Sequence, residues 1–188
     1  MNLKNQNVLI TGAAEGLGLA IANAFNGEGT NLFLLDKNIK KLDSNGLKNS
    51  KNYCVDLSNT DELNNFVNLL NETNIEINTL IHNASILIPT SFENTSEKHW
   101  DEINNITLKT AFILSKFVWE KMKIKKNGVI IFVSSRSGIE GFKEESAYCS
   151  AKHGLEGLMK SLSLEGRDHG IQTFSITPGM FMNTPMSQ

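Results

Sequence analysis

Tyr148 and Lys152 stand four residues apart in Tyr-Cys-Ser-Ala-Lys, a spacing that puts both side chains on one face of a helix. An ammonium beside a phenol favours the phenolate and lowers a pKa that is about 10 when unperturbed. A tyrosine tuned in this way can exchange a proton with a substrate oxygen near neutral pH. Such a pair is common by chance and gains meaning only from its company. Ser134 and Ser135 close the apolar run ahead of it, where a serine hydroxyl could hold the same oxygen in place.

A second group of residues lies near the N-terminus. Thr11-Gly12-Ala13-Ala14-Glu15-Gly16-Leu17-Gly18 follows a short apolar run and opens a stretch of helical period. Gly12 and Gly16 let the backbone bend and approach phosphates, and Gly18 lets the helix lie close to a sheet. The free N–H groups and the dipole of the helix start then attract an anion. Gly-rich turns also arise for purely geometric reasons, so position matters. This turn falls at the first strand–helix junction, and Asp36 ends the second strand 18 residues after Gly18. A carboxylate there accepts hydrogen bonds from the ribose 2′- and 3′-hydroxyls and repels a 2′-phosphate, and the turn offers Ala14 and Glu15 rather than a basic side chain. These residues predict NAD in preference to NADP, with Lys37 as the one dissenting charge. Asp56, in Cys54-Val55-Asp56-Leu57, has two readings: contact with an adenine, or a helix-capping acid ahead of Ser58.

Six compact apolar runs are expected as strands that position these groups, at residues 7–10, 31–35, 52–55, 79–82, 128–133 and 171–176. Helices are expected between them. One covers residues 17–26; another has Ser58 or Thr60 as N-cap, with Leu63, Phe66, Val67 and Leu70 on one face. Two long ones run over about 100–123 and 147–167, while residues 37–50 read as a variable loop or short helix. The alternation predicts an α/β fold around a parallel sheet, as a single domain over residues 1–188. The long helices carry more apolar residues than one sheet face needs, so a homodimer through them is expected.

Composition narrows the function. The 18 basic and 20 acidic residues leave a net charge of -2, and they form neither a basic face for nucleic acid nor a polybasic segment for a membrane surface. No apolar run approaches the roughly 20 residues of a spanning helix, and no signal sequence is read at the start. Cys54 and Cys149 lie far apart without a CxxC spacing, so neither a metal site nor a disulfide framework is expected, and a cytoplasmic setting fits.

The chain resembles the short-chain dehydrogenase/reductase family over essentially its whole length. The resemblance is carried by the turn from Thr11 to Gly18, Asp56, His82-Asn83-Ala84-Ser85, Ser135, Tyr148, Lys152 and Pro178-Gly179, in family order. It implies a Rossmann-type doubly wound sheet in the order 3-2-1-4-5-6, and hydride transfer between NAD(H) and a small alcohol or ketone. Ser135, 13 residues before Tyr148, would orient the substrate. The cofactor would be held by Gly12, Glu15, Gly16, Leu17 and Gly18, by Asp36, Asp56 and Leu57, and by Asn83 and Ala84. Tyr148 would lie against it, Lys152 would grip the nicotinamide ribose, and Phe181 would lie near the carboxamide.

The sequence also departs from the family pattern. The family places an asparagine within a hydrophobic-Asn-Leu pattern, where it holds a water in a proton relay; the register here gives Ile106-Thr107-Leu108. Thr107 could bind a water through its hydroxyl, whereas Asn105 lies roughly 200° away around a helix. A weakened activity is expected, and Thr107→Asn is expected to raise kcat. His82 and Ser85 replace the usual outer residues of Asn-Asn-Ala-Gly. His82 is read as a packed strand residue, since no His or Cys cluster accompanies it, and His99, His153 and His169 as helix-surface residues. Relatives continue past Pro178-Gly179 through a helical lid and a last strand, which are expected to be missing here, and Thr184 falls one place late. Two rivals to an active enzyme follow: a weak or inactive NAD-binding regulatory protein, and an inactive fragment.

Overall fold

Val8, Leu9 and Ile10 are all fully buried, as a strand must be when helices cover both faces of its sheet. The computed structural model describes residues 3–178; Gly179, Phe181 and Thr184 lie outside them. Every expected apolar run forms a strand, namely β1 (Asn7–Thr11), β2 (Asn31–Asp36), β3 (Ser50–Cys54), β4 (Thr79–His82), β5 (Gly128–Val133) and β6 (Ile171–Ile176). All five pairings are parallel and the order is β3-β2-β1-β4-β5-β6, as the resemblance implies.

Side chains alternate across the sheet and divide the core in two. Leu9, Leu80 and Ile130 face α3 (Thr60–Glu72), α5 (Thr110–Lys125) and α6 (Ser146–Gly166), meeting Phe66, Leu114 and Leu155. Val8, Ile10 and Leu32 face α1 (Gly16–Gly27) and α2 (Ile39–Ser44), meeting Ala22 and Leu42. The polar stretch after β2 thus contains a short helix, capped by the Asn38 side chain, which accepts from the Lys41 N–H at 3.1 Å.

Two expectations are corrected. The cap of α3 is Asn59, whose Oδ1 accepts from the N–H of Asp61 at 3.0 Å, rather than Ser58 or Thr60. The Ser58 hydroxyl instead donates to Asp56 at 2.7 Å, which removes it from the helix end. The long helix expected over 100–123 is in fact α4 (Glu97–Asn104), a π-turn (Asn105–Lys109) and α5. Within the π-turn the Thr110 N–H reaches back to the Asn105 carbonyl, and the Thr110 hydroxyl donates to the same oxygen at 2.9 Å. Among the described residues no helix is long and apolar enough to cross a membrane.

Candidate active site

The ends of β1, β4 and β5 meet the starts of α1 and α6 at a cavity of about 610 Å³ on the carboxyl edge of the sheet. It opens where the strand order reverses about β1, the place where open α/β sheets take ligands.

The turn after β1 forms one wall. Gly12 has φ +64, a conformation natural to glycine, and the Asn83 amide donates to the carbonyls of Thr11 at 3.2 Å and Gly12 at 3.1 Å. A Cβ on Gly18 would run into the Gly12 carbonyl oxygen, so a bare backbone there lets α1 start against the turn. Gly12, Glu15, Gly16 and Leu17 line the cavity; Gly18 lies behind them. The Asp36 carboxylate also lines it, accepting from the Ala14 N–H at 3.1 Å and the Asn38 N–H at 3.0 Å, and so ties β2 to the turn. Glu15 pairs with Lys41, placing a second lysine beyond Lys37 near this end.

Asp56 and Leu57 line the same wall. The Asp56 carboxylate accepts from the Ser58 hydroxyl and the Ser58 N–H, and these bonds, the hydroxyl foremost, hold its pKa below the usual carboxylate value. It therefore closes a turn ahead of α3 and faces the cavity as well, without being the helix cap.

The opposite wall brings Ser135, Tyr148 and Lys152 together. Lys152 is 2% exposed, its Nζ donates to the Val133 carbonyl at 2.8 Å, and the same atom lies 5.5 Å from the centre of the Tyr148 ring. Burial pushes the Lys152 pKa down to about 7, against the opposing charge of Glu156. Burial raises the Tyr148 pKa, while hydrogen bonds from the Ser135 and Ser85 hydroxyls act to lower it. The sequence expectation of a Tyr148 lowered by Lys152 is thus reversed in this arrangement, because desolvation dominates and the ammonium is turned toward a carbonyl. Ser134 and Ser135 differ: Ser135 lines the cavity with Tyr148 and acts to lower its pKa, whereas the Ser134 Oγ is buried with no partner among the described residues.

Thr107 is fully buried and stands behind the wall, not on it. Its hydroxyl lies 2.8 Å from that of Ser85, which does line the cavity. Asn105 is directed elsewhere, to the Ser58 carbonyl at 3.3 Å. From the sequence Ser85 is named only as a departure from the family pattern, without a role, and Ser137 and Glu145, joined by a 2.7 Å hydrogen bond beside Ser135, are not named. Nothing in local spacing signals either group.

A family model described as short chain dehydrogenase matches residues 6–188. The chain belongs to the short-chain dehydrogenases. It is 35% identical over 188 residues to 3-oxoacyl-(acyl-carrier-protein) reductase FabG of Rickettsia prowazekii, covering all of this chain and 77% of that protein. Among solved structures, 4-hydroxyisoleucine dehydrogenase complexed with NADH superposes with TM-score 0.86 at 30% identity, over 93% of this chain and 75% of that one. A metagenomic short-chain oxidoreductase in complex with NADP gives TM-score 0.88 at 27% identity, over 95% of this chain and 83% of that one.

This short-chain dehydrogenase is accordingly an oxidoreductase of the class that acts on CH–OH and carbonyl groups. Its own residues fit a nicotinamide dinucleotide. The cradle at Gly12 has no room for a side chain, since a Cβ there would come within 3.0 Å of both Ala84 Cα and the Asn83 amide. The helix start behind it offers N–H groups to a pyrophosphate.

Proposed function

We propose that this short-chain dehydrogenase moves a hydride between NAD(H), in preference to NADP(H), and a small alcohol or ketone, with Tyr148 as the acid/base. One observation carries the reading: the Ser135 and Tyr148 hydroxyls and the Lys152 side chain line the same cavity as the glycine turn. The bound dinucleotide supplies the hydride. Gly12, Glu15, Gly16 and Leu17 hold its phosphates, supported from behind by Gly18, while Asp36 takes the adenosine ribose and repels a 2′-phosphate. Asp56 and Leu57 would border the adenine, and Asn83 and Ala84 the nicotinamide side.

Ser135 orients the substrate oxygen, and Tyr148 gives that oxygen a proton in reduction and takes it back in oxidation. Lys152 grips the nicotinamide ribose and favours the phenolate when its ammonium turns to the phenol. Ile86, Leu87 and Phe142 give the cavity an apolar side for the substrate's carbon chain. The Rickettsia relative's name adds a 3-oxoacyl thioester to the candidates. Trp100, Phe112 and Leu164 are exposed on α4, α5 and α6 and supply the apolar face of a homodimer. Free Cys54 and Cys149 accord with a cytoplasmic location.

Fluorescence titration with NADH and NADPH, followed by a screen of secondary alcohols, ketones and acetoacetyl thioesters on wild type and Tyr148→Phe, tests the reading. Tighter NADH binding and Tyr148-dependent turnover are expected. A preference for NADPH overturns the assignment of Asp36, and binding without Tyr148-dependent turnover leaves a nucleotide-binding regulatory protein. Sedimentation at micromolar concentration checks the dimer.

A further inference from the structure

His82 is buried at the end of β4 with both ring nitrogens engaged: Nε2 lies 2.9 Å from the Thr107 carbonyl oxygen, and Nδ1 lies 2.9 Å from the Thr11 hydroxyl. A carbonyl only accepts, so Nε2 carries the proton and Nδ1 accepts the Thr11 O–H. The Thr11 oxygen in turn accepts the N–H of Asn83 at 3.1 Å and of Ala84 at 3.0 Å. Each polar atom in this set has a role that fits its chemistry. Burial, with the charge of Lys152 nearby, pushes the His82 pKa down to about 3, so the ring is neutral and the tautomer is fixed.

The fixed imidazole clamps the middle of the π-turn to the sheet. Thr107 is held there with its side chain wholly buried and its hydroxyl 2.8 Å from the Ser85 hydroxyl. Ser85 lines the same cavity as Tyr148, near enough for its hydroxyl to act on the phenol and lower its pKa. With Thr107 donating to Ser85, the Ser85 proton is left to be donated to the tyrosine oxygen.

We infer that Ser85 is a positioning residue for Tyr148, through a hydroxyl chain from Thr107 to Ser85 to the tyrosine oxygen that neutral His82 holds in register. No proton leaves along this chain. Ser85 presents a second hydroxyl, besides Ser135, to the oxygen that becomes negative when Tyr148 gives up its proton. Hydrogen bonds that strengthen toward the phenolate favour that form. The inference rests on Tyr148 as the acid/base, but the ionisation of Tyr148 can be read without turnover.

The sequence holds two tyrosines, Tyr53 and Tyr148, so a Tyr53→Phe background leaves Tyr148 as the one phenol to titrate by ultraviolet absorbance. Ser85→Ala in that background is expected to raise the phenolate midpoint by roughly half to one unit, the worth of one net hydrogen bond. Thr107→Val is expected to raise it by less, to add nothing on top of Ser85→Ala, and to be reversed by Thr107→Ser. The groups that also lie near this phenol, Glu145, Cys149 and the Lys152 side chain, are unchanged in these variants. The kcat/KM profile for alcohol oxidation should move by the same amount and in the same direction. A midpoint unmoved by Ser85→Ala, or a Thr107→Val effect that simply adds to it, overturns the inference. If the midpoint moves as expected while Tyr148→Phe keeps full turnover, the hydroxyl chain stands and Tyr148 is not the acid/base.

Discussion

The turn after β1 and the hydroxyl cluster beyond β5 face one cavity and are built by opposite means. In the turn, the working parts are backbone N–H groups and missing side chains: at Gly18 there is no volume for even a methyl group. In the cluster, the working parts are side chains whose strength depends on burial and on each other, as with Ser85, Thr107 and Tyr148. The difference teaches where replacement is tolerated. A missing Cβ has no substitute, whereas a hydrogen-bonding partner can be exchanged when its neighbours change with it. His82, Ser85 and Thr107 all depart from the family pattern and all belong to one connected set.

The comparison can be broken at either wall, and the largest effect is expected at the cluster. Tyr148→Phe should lower turnover by about 10²–10⁴-fold while leaving NADH affinity within a few-fold, measured by steady-state kinetics and fluorescence titration. Equal turnover would remove the cluster's claim to the chemistry.

Next comes the pH dependence of stability. His82 has its pKa depressed to about 3 against a model-peptide 6.5, so the unfolded chain binds the extra proton first as pH falls. That stability is fully present above 6.5 and is lost progressively down to about 3. Lys152, depressed to about 7 from 10.5, follows the same sign at higher pH: its burial cost is full below 7 and is relieved as pH rises to 10.5. Each step should be on the order of a few kcal/mol. Denaturant melts across pH should show the acid step flattened in His82→Asn and the alkaline rise flattened in Lys152→Met. Unchanged profiles would mean that neither group is as dry as its packing indicates.

At the turn, Gly18→Ala forces a methyl group toward the Gly12 carbonyl, an overpacking of about 1–3 kcal/mol. Calorimetry should show NADH binding weakened by roughly ten- to a hundredfold. The smallest expected effect is that of Thr107→Asn. The family pattern led to an increase in kcat, but the site is fully buried and the hydroxyl is already engaged, so a several-fold decrease is expected in steady-state assays. An increase would favour the sequence pattern over the packing.

Five strands were legible because each is a short apolar run bounded by polar residues, while the edge strand β3, Ser-Lys-Asn-Tyr-Cys, begins two residues before the expected 52–55 and ends one short of it; the strand order came with the family resemblance. The π-turn was not legible. One inserted residue shifts the apolar stripe of a helix by only about 100°, which residues 100–123 absorb without a visible break in composition. The α3 cap was misplaced by one residue because Ser58, Asn59 and Thr60 are all capping types, and only the Ser58–Asp56 bond removes the first of them. The turn residues and Asp36 were read in place, and Tyr148, Lys152 and Ser135 were read together. Ser85 was read only as a departure from the family pattern, because a serine in a loop carries no local signal of what it will touch.

By itself the sequence determined the features that rest on short-range geometry: glycines where the backbone must bend and close, and a tyrosine and lysine one helical turn apart. Only the tertiary structure decided which hydroxyl meets which and how each titrates. Thr11 and His82 are 71 residues apart and Ser85 and Thr107 are 22 apart, distances over which spacing in the chain says nothing of proximity in space. The protonation states follow from the same cause. The phenol is raised and the ammonium lowered by desolvation, a property of the packed wall around Tyr148 and Lys152 and not of the residues themselves.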